Sequence, residues 1–245
     1  MGRVSSLWRY PIKAIGREEV TQVGFIAGQA MPGDRVWAVA HQNSKAEQGA
    51  WASCGNFLRA CNSPTLQATE VATTPDGRLT LTHPKRPTLH VDPNATPDSL
   101  LAWLAPLFDA DKFEPTAVIS VGTRGMTDAP FPSVTLCNLS SHRALEGRAG
   151  MSLSIHRWRG NIWLDGLAPW EEFDWIGKEL QIGEARFRVE ERTGRCKATH
   201  ANPENGLRDV DVLGLLEDYG HTDFSVQVTV VQSGIVQPND KVVLV

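Results

Sequence analysis

The sequence predicts a mainly β protein with a few short helices. Many short segments alternate apolar and polar residues, which is the pattern of half-buried strands. Turn clusters rich in glycine, proline, asparagine and aspartate separate those segments, and apolar residues at helical spacing occur only over short stretches. With 245 residues, the chain is long enough to bury a substantial core and to form one large or two medium domains.

The first half of the chain is predicted to consist largely of strands. The first strand stops at Tyr10-Pro11, because proline cannot donate to a strand ladder. Pro75-Asp76-Gly77 has the chemistry of a hairpin turn. Thr96-Pro97-Asp98 predicts a helix start, with threonine as the cap and proline at the first helical position. Strands are predicted at residues 4–12, 20–26, 36–40, 66–71, 79–82, 89–91 and 118–121.

The second half is predicted to combine strands with short helices. Residues 123–132 form a linker into this half, and Asn138 is expected to cap a helix that ends near Gly147. A second helix is predicted where apolar residues recur every three positions, at Val210, Leu213, Leu216 and Tyr219. Strands are predicted at residues 134–136 and 162–164, in a hairpin over 178–192, at 224–230, and after a tight turn over 234–242.

The composition argues against several classes of protein. A net charge of −4 is unlike that of a general nucleic-acid binder. No apolar run reaches the length of a membrane span and no signal peptide is evident, so we expect a cytoplasmic protein that does not associate with membranes. Four cysteines without a CxxC pair do not predict a disulfide scaffold or a zinc site. The sequence contains neither a Ser-His-Asp signature nor a nucleophile elbow, so a hydrolase is the least expected class of enzyme.

Cys196 is the main candidate for a reactive side chain. Arg192, Arg195 and Lys197 place positive charge around it, and Gly194 loosens the backbone just before it. Neighbouring cations favour the thiolate, which is the form that attacks electrophiles or binds soft metals. Most single cysteines are buried and inert, however. The local chemistry therefore leaves both a functional thiolate and an inert thiol open.

Four short motifs along the chain resemble those of one family. In order they are Tyr10-Pro11-x-Lys13, Asp34-Arg35, Arg159-x-Asn161-Ile162 and Arg195-Cys196. Their order and spacing resemble the MOSC family, the molybdenum cofactor sulfurase C-terminal domains, which includes the amidoxime-reducing components. The resemblance implies a MOSC N-terminal β-barrel-like domain over residues 1–122 and a MOSC β-barrel domain over residues 123–245, with a cofactor between them.

The resemblance also implies a site for molybdopterin, the organic part of the molybdenum cofactor. Lys13, Arg35 and Arg159 would neutralise its phosphate and hold its pterin, since charge-assisted contacts are strong and the guanidinium fork suits phosphate geometry. Asn161 would donate and accept at the pterin edge. Cys196 would ligate molybdenum as a thiolate, with Arg195 as a further cofactor-binding residue that favours this ionised form.

The activity implied by the resemblance is that of a molybdenum cofactor-dependent oxidoreductase. Its substrates would be small N-hydroxylated or N-oxygenated molecules such as amidoximes. Electrons would come from a separate reductase or ferredoxin, because the chain has no clustered cysteines for an iron–sulfur centre. Two alternatives remain open: a carrier of the cofactor or of sulfur, as a Cys196 persulfide, and a MOSC fold that has lost its cofactor. Cys54 and Cys61 have no assigned role and are expected to pack in the interior.

Overall fold

A computed structural model of the protein describes residues 2–108 and 113–245 and confirms the mainly β fold class. The strands are β1 (Arg3–Arg9), β2 (Glu18–Val20), β3 (Val23–Phe25), β4 (Trp37–His41), β5 (Glu70–Thr73), β6 (Leu79–His83), β7 (Arg86–Val91), β8 (Pro115–Ser120), β9 (Val134–Asn138), β10 (Ile162–Asp165), β11 (Glu179–Ile182), β12 (Ala185–Gly194), β13 (Asp223–Gln232), β14 (Gly234–Val236) and β15 (Val242–Leu244). The α-helices are α1 (Pro97–Leu104), α2 (Leu139–Ala149) and α3 (Val212–Glu217). Short 3₁₀ helices span Cys54–Asn56, Pro64–Ala68, Ala105–Leu107, Gly122–Arg124, Ile155–Trp158, Glu171–Trp175 and Lys197–His200. None of the helices in the described residues is both long enough and apolar enough to cross a membrane.

The largest sheet has eight strands in the order β15-β11-β12-β13-β9-β10-β1-β2. Neighbours are antiparallel except β9 and β10, which run parallel. The hairpin predicted over residues 178–192 is confirmed as the β11–β12 pair. Alternating residues of the sheet, among them Leu136, Phe187 and Val228, are fully buried in one apolar cluster. The period-two pattern read from the sequence is therefore the inner face of this sheet.

The first strands of the chain pair with strands from its second half. β1 lies antiparallel to β10, and β3 lies antiparallel to β14. Residues 20–26, predicted as one strand, are divided between β2 and β3, because β2 continues beside β1 whereas β3 joins β14 in a separate two-stranded sheet. The domain division at residues 122 and 123 stays a prediction, and the strand pairing crosses it.

The rest of the first half forms two small sheets around a second apolar cluster. β4 pairs with β8, and β5, β6 and β7 form an antiparallel meander against α1, with Leu81 and Leu104 fully buried between them. The predicted turn at 75–77 is confirmed between β5 and β6. The strand predicted at 66–71 is shorter, because residues up to Ala68 form the 3₁₀ helix that starts at Pro64.

The α-helices lie where the sequence predicts them, but some of their ends and caps differ from the prediction. Asn138 caps α2 as predicted, since its side chain accepts from the Ser140 N–H, but α2 continues past Gly147 and ends at Gly150, whose φ of +66° suits a C-terminal glycine. The Thr96 side chain does not cap α1 and instead donates to the Asp92 carbonyl. The last helix starts at Val212, after Asp211 accepts from the Gly214 N–H.

Candidate functional site

A cavity of about 330 Å³ brings together most of the predicted site residues. Lys13, Arg35, Arg159, Arg195 and Cys196 all line it. Each follows or precedes a strand end: Lys13 lies after β1, Arg35 before β4, Arg159 before β10, and the Arg195-Cys196 pair directly after β12. The site therefore collects residues that are far apart in sequence through the pairing of the strands.

Two of the cavity arginines have backbone conformations that are unusual for any residue but glycine. Arg35 and Arg159 each have a φ of +51°. Backbone hydrogen bonds hold them there, from the Arg35 N–H to the Tyr10 carbonyl at 2.8 Å and from the Arg159 N–H to the His156 carbonyl at 3.3 Å. Such conformations cost roughly 1–3 kcal/mol each and persist where the surrounding structure imposes them, often at functional sites.

Lys13 and Arg35 are paired with carboxylates. The Lys13 ammonium donates to Asp128 at 2.5 Å and to the Met126 carbonyl at 2.8 Å, and the Arg35 guanidinium pairs with buried Asp34. Burial lowers the pKa of Lys13, and the Asp128 carboxylate opposes that shift. Both cations are therefore partly compensated by the protein before any ligand binds.

Arg159 and Arg195 have no carboxylate partner among the described residues. Arg159 donates only to backbone carbonyls and lies over the Tyr10 ring, with 4.2 Å from its guanidinium carbon to the ring centroid. Arg195 donates to the Phe224 and Trp158 carbonyls at 2.7 and 2.8 Å. Burial, reinforced for each by the positive charge of Arg35, lowers the pKa of both arginines. An anionic ligand in the cavity would supply the missing counter-charge.

Arg157, Arg59 and Gln227 are among the polar cavity residues to which the sequence gave no role. One terminal nitrogen of Arg157 donates to both carboxylate oxygens of Asp209, at 2.7 and 2.9 Å, and Arg59 contacts the Cys54 sulfur at 3.7 Å. Gln227 is 92% buried, and among the described residues its side-chain oxygen has no hydrogen-bond partner. A signal for Gln227 existed: it is an amide between Val226 and Val228 in the buried middle of β13.

The cavity side chains fit the chemistry of molybdopterin. The uncompensated arginines suit its phosphate, and the unpaired oxygen of Gln227 suits an N–H donor such as those of a pterin ring. The Cys196 thiol suits a soft metal. This fit rests on the groups themselves, because a buried acceptor without a hydrogen-bond partner and half-buried cations without a counter-charge are costly to keep.

Asn161 does not line the cavity. It is fully buried, and its side-chain oxygen accepts from the Thr135 N–H at 3.0 Å while its amide nitrogen donates to the Trp8 carbonyl at 3.1 Å. The side chain thus satisfies backbone groups of β9 and β1 on either side of β10. The predicted contact between Asn161 and a pterin is not brought about by this arrangement.

Cys196 is an exposed, free cysteine at the start of a 3₁₀ helix. The Cys61 thiol lies within hydrogen-bonding reach of its sulfur, and with the Ala198 N–H and the Arg195 charge it lowers the pKa of Cys196 to about 6, against the opposing effects of burial and of Asp128. The thiolate is therefore the main form of Cys196 at neutral pH, which favours a functional thiolate over an inert thiol. Of the three cations predicted around it, only Arg195 lines the cavity.

We expected Cys54 and Cys61 to pack in the interior, but the structure places them elsewhere. Both are half-buried and line the same cavity as Cys196. The expectation failed because the sequence gives no sign that the segment after the Cys54–Asn56 turn lies beside the end of β12. The Arg208 guanidinium holds it there, donating to the Cys61 carbonyl at 2.6 Å. Cys137, in contrast, is fully buried, and burial raises the pKa of its thiol to about 12.

The pH dependence of alkylation tests the state of the Cys196 thiol. We expect the rate at which iodoacetamide labels Cys196 to reach half its maximum near pH 6, instead of near the ordinary cysteine pKa of about 8.5. In Cys61→Ala the largest cause of the shift is removed, so the midpoint should rise towards the ordinary value. Mass mapping of the Cys196 peptide gives the rate, with Cys54→Ala as the control. Equal midpoints in wild type and Cys61→Ala would contradict the assigned cause.

Two known domains match nearly the whole chain. Residues 1–107 match the MOSC N-terminal beta barrel domain, and residues 126–243 match the MOSC domain. No curated protein is significantly similar to the chain.

The chain matches the solved structures of two bacterial proteins, among others. YiiM from Geobacillus stearothermophilus shares 20% identity over 46% of this chain and 53% of its own, with a TM-score of 0.36, so this chain spans about half the length of YiiM. The YUAD protein from Bacillus subtilis shares 11% identity over 99% of this chain and 94% of its own, with a TM-score of 0.44. The domain matches, in the order that the motifs predict, show that the chain consists of a MOSC N-terminal beta barrel domain followed by a MOSC domain, a family associated with molybdenum cofactor binding.

Proposed function

We propose that the chain binds the molybdenum cofactor in the cavity and is an oxidoreductase that reduces small N-hydroxylated or N-oxygenated molecules. One observation carries the proposal: an exposed thiol with a pKa of about 6 opens onto a cavity lined by arginines that have no carboxylate partner among the described residues. A thiolate beside uncompensated cations is suited to a ligand that carries both a soft metal and a phosphate.

Each cavity residue has a role in holding this ligand. Arg159, with Arg35 and Lys13, would bind the phosphate, and their charges would fix its position. The oxygen of Gln227 would accept from a pterin N–H. The Cys196 thiolate would ligate molybdenum. When bound, the cofactor would supply the two-electron redox chemistry that such a reduction needs.

The packing around Arg195 holds its guanidinium in place. Trp158 stacks on Phe224 with 3.8 Å between ring centroids, and the Arg195 guanidinium lies against both rings while it donates to both backbone carbonyls. This packing fixes Arg195 beside Cys196, where its charge adds to the effects of Cys61 and the Ala198 N–H in lowering the pKa of the thiol. We further propose that the protein is cytoplasmic. Its electrons would come from a separate reductase or ferredoxin.

A second function is favoured by the exposure of Cys196. An exposed, ionised thiol next to another thiol is also suited to a carrier that holds a persulfide or passes molybdopterin to an acceptor enzyme. Such a carrier would release its load to an acceptor and would show no turnover with chemical electron donors. An oxidoreductase would keep its cofactor and reduce amidoximes with the same donors.

Metal and pterin analysis tests the proposed function. The full chain, produced in a host that makes the cofactor, should contain near-stoichiometric molybdenum and oxidisable pterin. In Cys196→Ala the molybdenum content should fall at least tenfold because the protein ligand is lost, whereas Cys54→Ala should keep the wild-type content. Metal-free and pterin-free wild-type protein, from a host that loads a control molybdoenzyme, would refute the proposal.

A further inference from the structure

Cys61 and Cys196 bring two thiols together from opposite halves of the chain. Cys61 lies just before the Pro64–Ala68 helix, and Cys196 directly follows β12. Both side chains are accessible to solvent and line the same cavity. The domain matches and the proposed function assign no role to Cys61.

The two segments are held in register by contacts on both sides of the thiols. The Arg208 guanidinium donates to the Cys61 carbonyl at 2.6 Å, and the Gln67 amide donates to the Ala198 carbonyl at 3.2 Å. Gly206 packs directly on Thr65, because a Cβ at position 206 would lie 2.3 Å from the Thr65 Cα. The loop after Cys196 is therefore docked on the segment that carries Cys61, and the proximity of the sulfurs is a built feature of the fold.

We propose that Cys61 and Cys196 form a reversible, peroxide-responsive dithiol site. The Cys196 thiolate attacks the O–O bond of hydrogen peroxide, which gives a Cys196 sulfenic acid and releases hydroxide. The Cys61 thiol then attacks that sulfur, forming a Cys61–Cys196 disulfide and releasing water. A small dithiol reductant returns both residues to thiols by two exchange steps and leaves as its own disulfide.

The exposure of the two residues assigns the order of attack. Cys196 is the more exposed of the pair, whereas Cys61 is half-buried and its thiol donates to the Asn62 side-chain oxygen at 3.6 Å. Peroxide therefore meets Cys196 first, and Cys61 is placed to resolve the sulfenic acid. Cys54 lines the same cavity and is the rival resolving residue, although its sulfur is turned to Arg59.

The disulfide has one consequence that rests on the proposed function. A sulfur bonded to Cys61 is not available to ligate molybdenum, so oxidation of the pair would block loading of the cofactor. The disulfide itself does not depend on that function, and the two can be tested separately.

The experiment uses the full chain from a host that makes no molybdenum cofactor, so that Cys196 carries no metal. Reduced protein is treated with a small molar excess of hydrogen peroxide near neutral pH, and thiols are counted in denaturant. We expect the count to fall from four to two, peptide mapping to find Cys61 joined to Cys196, and dithiothreitol to restore four. Cys54→Ala should behave like wild type apart from its missing thiol.

Trapping with dimedone separates the two steps. In Cys61→Ala no disulfide should form, and Cys196 should be labelled at least tenfold more than in wild type, because the sulfenic acid has no resolving thiol. A wild-type disulfide that involves Cys54, a count that stays at four, or equal labelling in wild type and Cys61→Ala would each overturn the proposal. If Cys61→Ala does not fold, the wild-type peptide map alone decides. Because the chain is free of cofactor, none of these outcomes depends on whether it binds molybdenum.

Discussion

Replacing Arg159 by methionine should reduce the pterin cofactor that the chain retains by at least tenfold. Methionine replaces the apolar stem of the arginine side chain with an unbranched chain of similar length. It lacks the guanidinium, which lines the cavity without a carboxylate partner among the described residues. A hydrogen bond to a charged group contributes about 1.5–3 kcal/mol, which corresponds to roughly 10- to 150-fold in affinity. Pterin fluorescence per mole of purified protein measures the retained cofactor.

The matched control for Arg159→Met is Arg148→Met. Arg148 is exposed and pairs with Asp218 at 2.7 Å, away from the cavity, so this variant should retain the wild-type amount of cofactor. Arg159→Met should melt no lower than wild type, because the substitution removes a buried cation that burial and Arg35 already disfavour. Full retention of pterin in Arg159→Met would show that Arg159 does not hold the cofactor.

Replacing Gly160 by alanine should cost about 3 kcal/mol of unfolding free energy, at the upper end for overpacking a core. A Cβ at this position would lie 2.2 Å from the sulfur of Cys137, which is fully buried and has no space to move into. For a chain of this length, the loss corresponds to a fall in melting temperature of roughly 6–12 °C. Urea unfolding of the wild type and the variant measures it.

The variant Cys137→Ala tests whether a clash with the Cys137 sulfur causes the loss of stability in Gly160→Ala. Alone, it should destabilise the protein, because it leaves a small cavity. The double variant should lose at least 1 kcal/mol less unfolding free energy than the two single variants lose together. The reason is that the added methyl group occupies the space that the sulfur has left. A double variant whose loss equals that sum would show that the clash with Cys137 is not the cause.

Much of the fold and most of the predicted site were accessible from sequence because they depend on local pattern. Alternation identified β12 and β13, and the short motifs identified Arg35, Arg159 and Cys196, each next to a strand end. Cys61 was missed because its partner comes from the other half of the chain, and nothing near Cys61 encodes that contact.

Residue type alone did not separate ligand-binding side chains from structural ones. Asn161 was predicted at the cofactor because amides suit a pterin, but its amide satisfies the backbone of two neighbouring strands. Gln227, also an amide, has an oxygen without a partner among the described residues and faces the cavity. The difference between them is which backbone groups lie nearby, and that is decided by strand order.

The pairing of the first strands with late ones determines when the protein can fold on the ribosome. β1 can pair early with β2, but its pairing with β10, and the pairing of β3 with β14, must wait until those strands of the second half have been synthesised. At about 5–20 residues per second, synthesis of the intervening chain takes on the order of 10–40 s, during which the apolar residues of β1 and β3 are exposed. The cavity, whose lining residues come from both halves of the chain, cannot form before those later strands are in place.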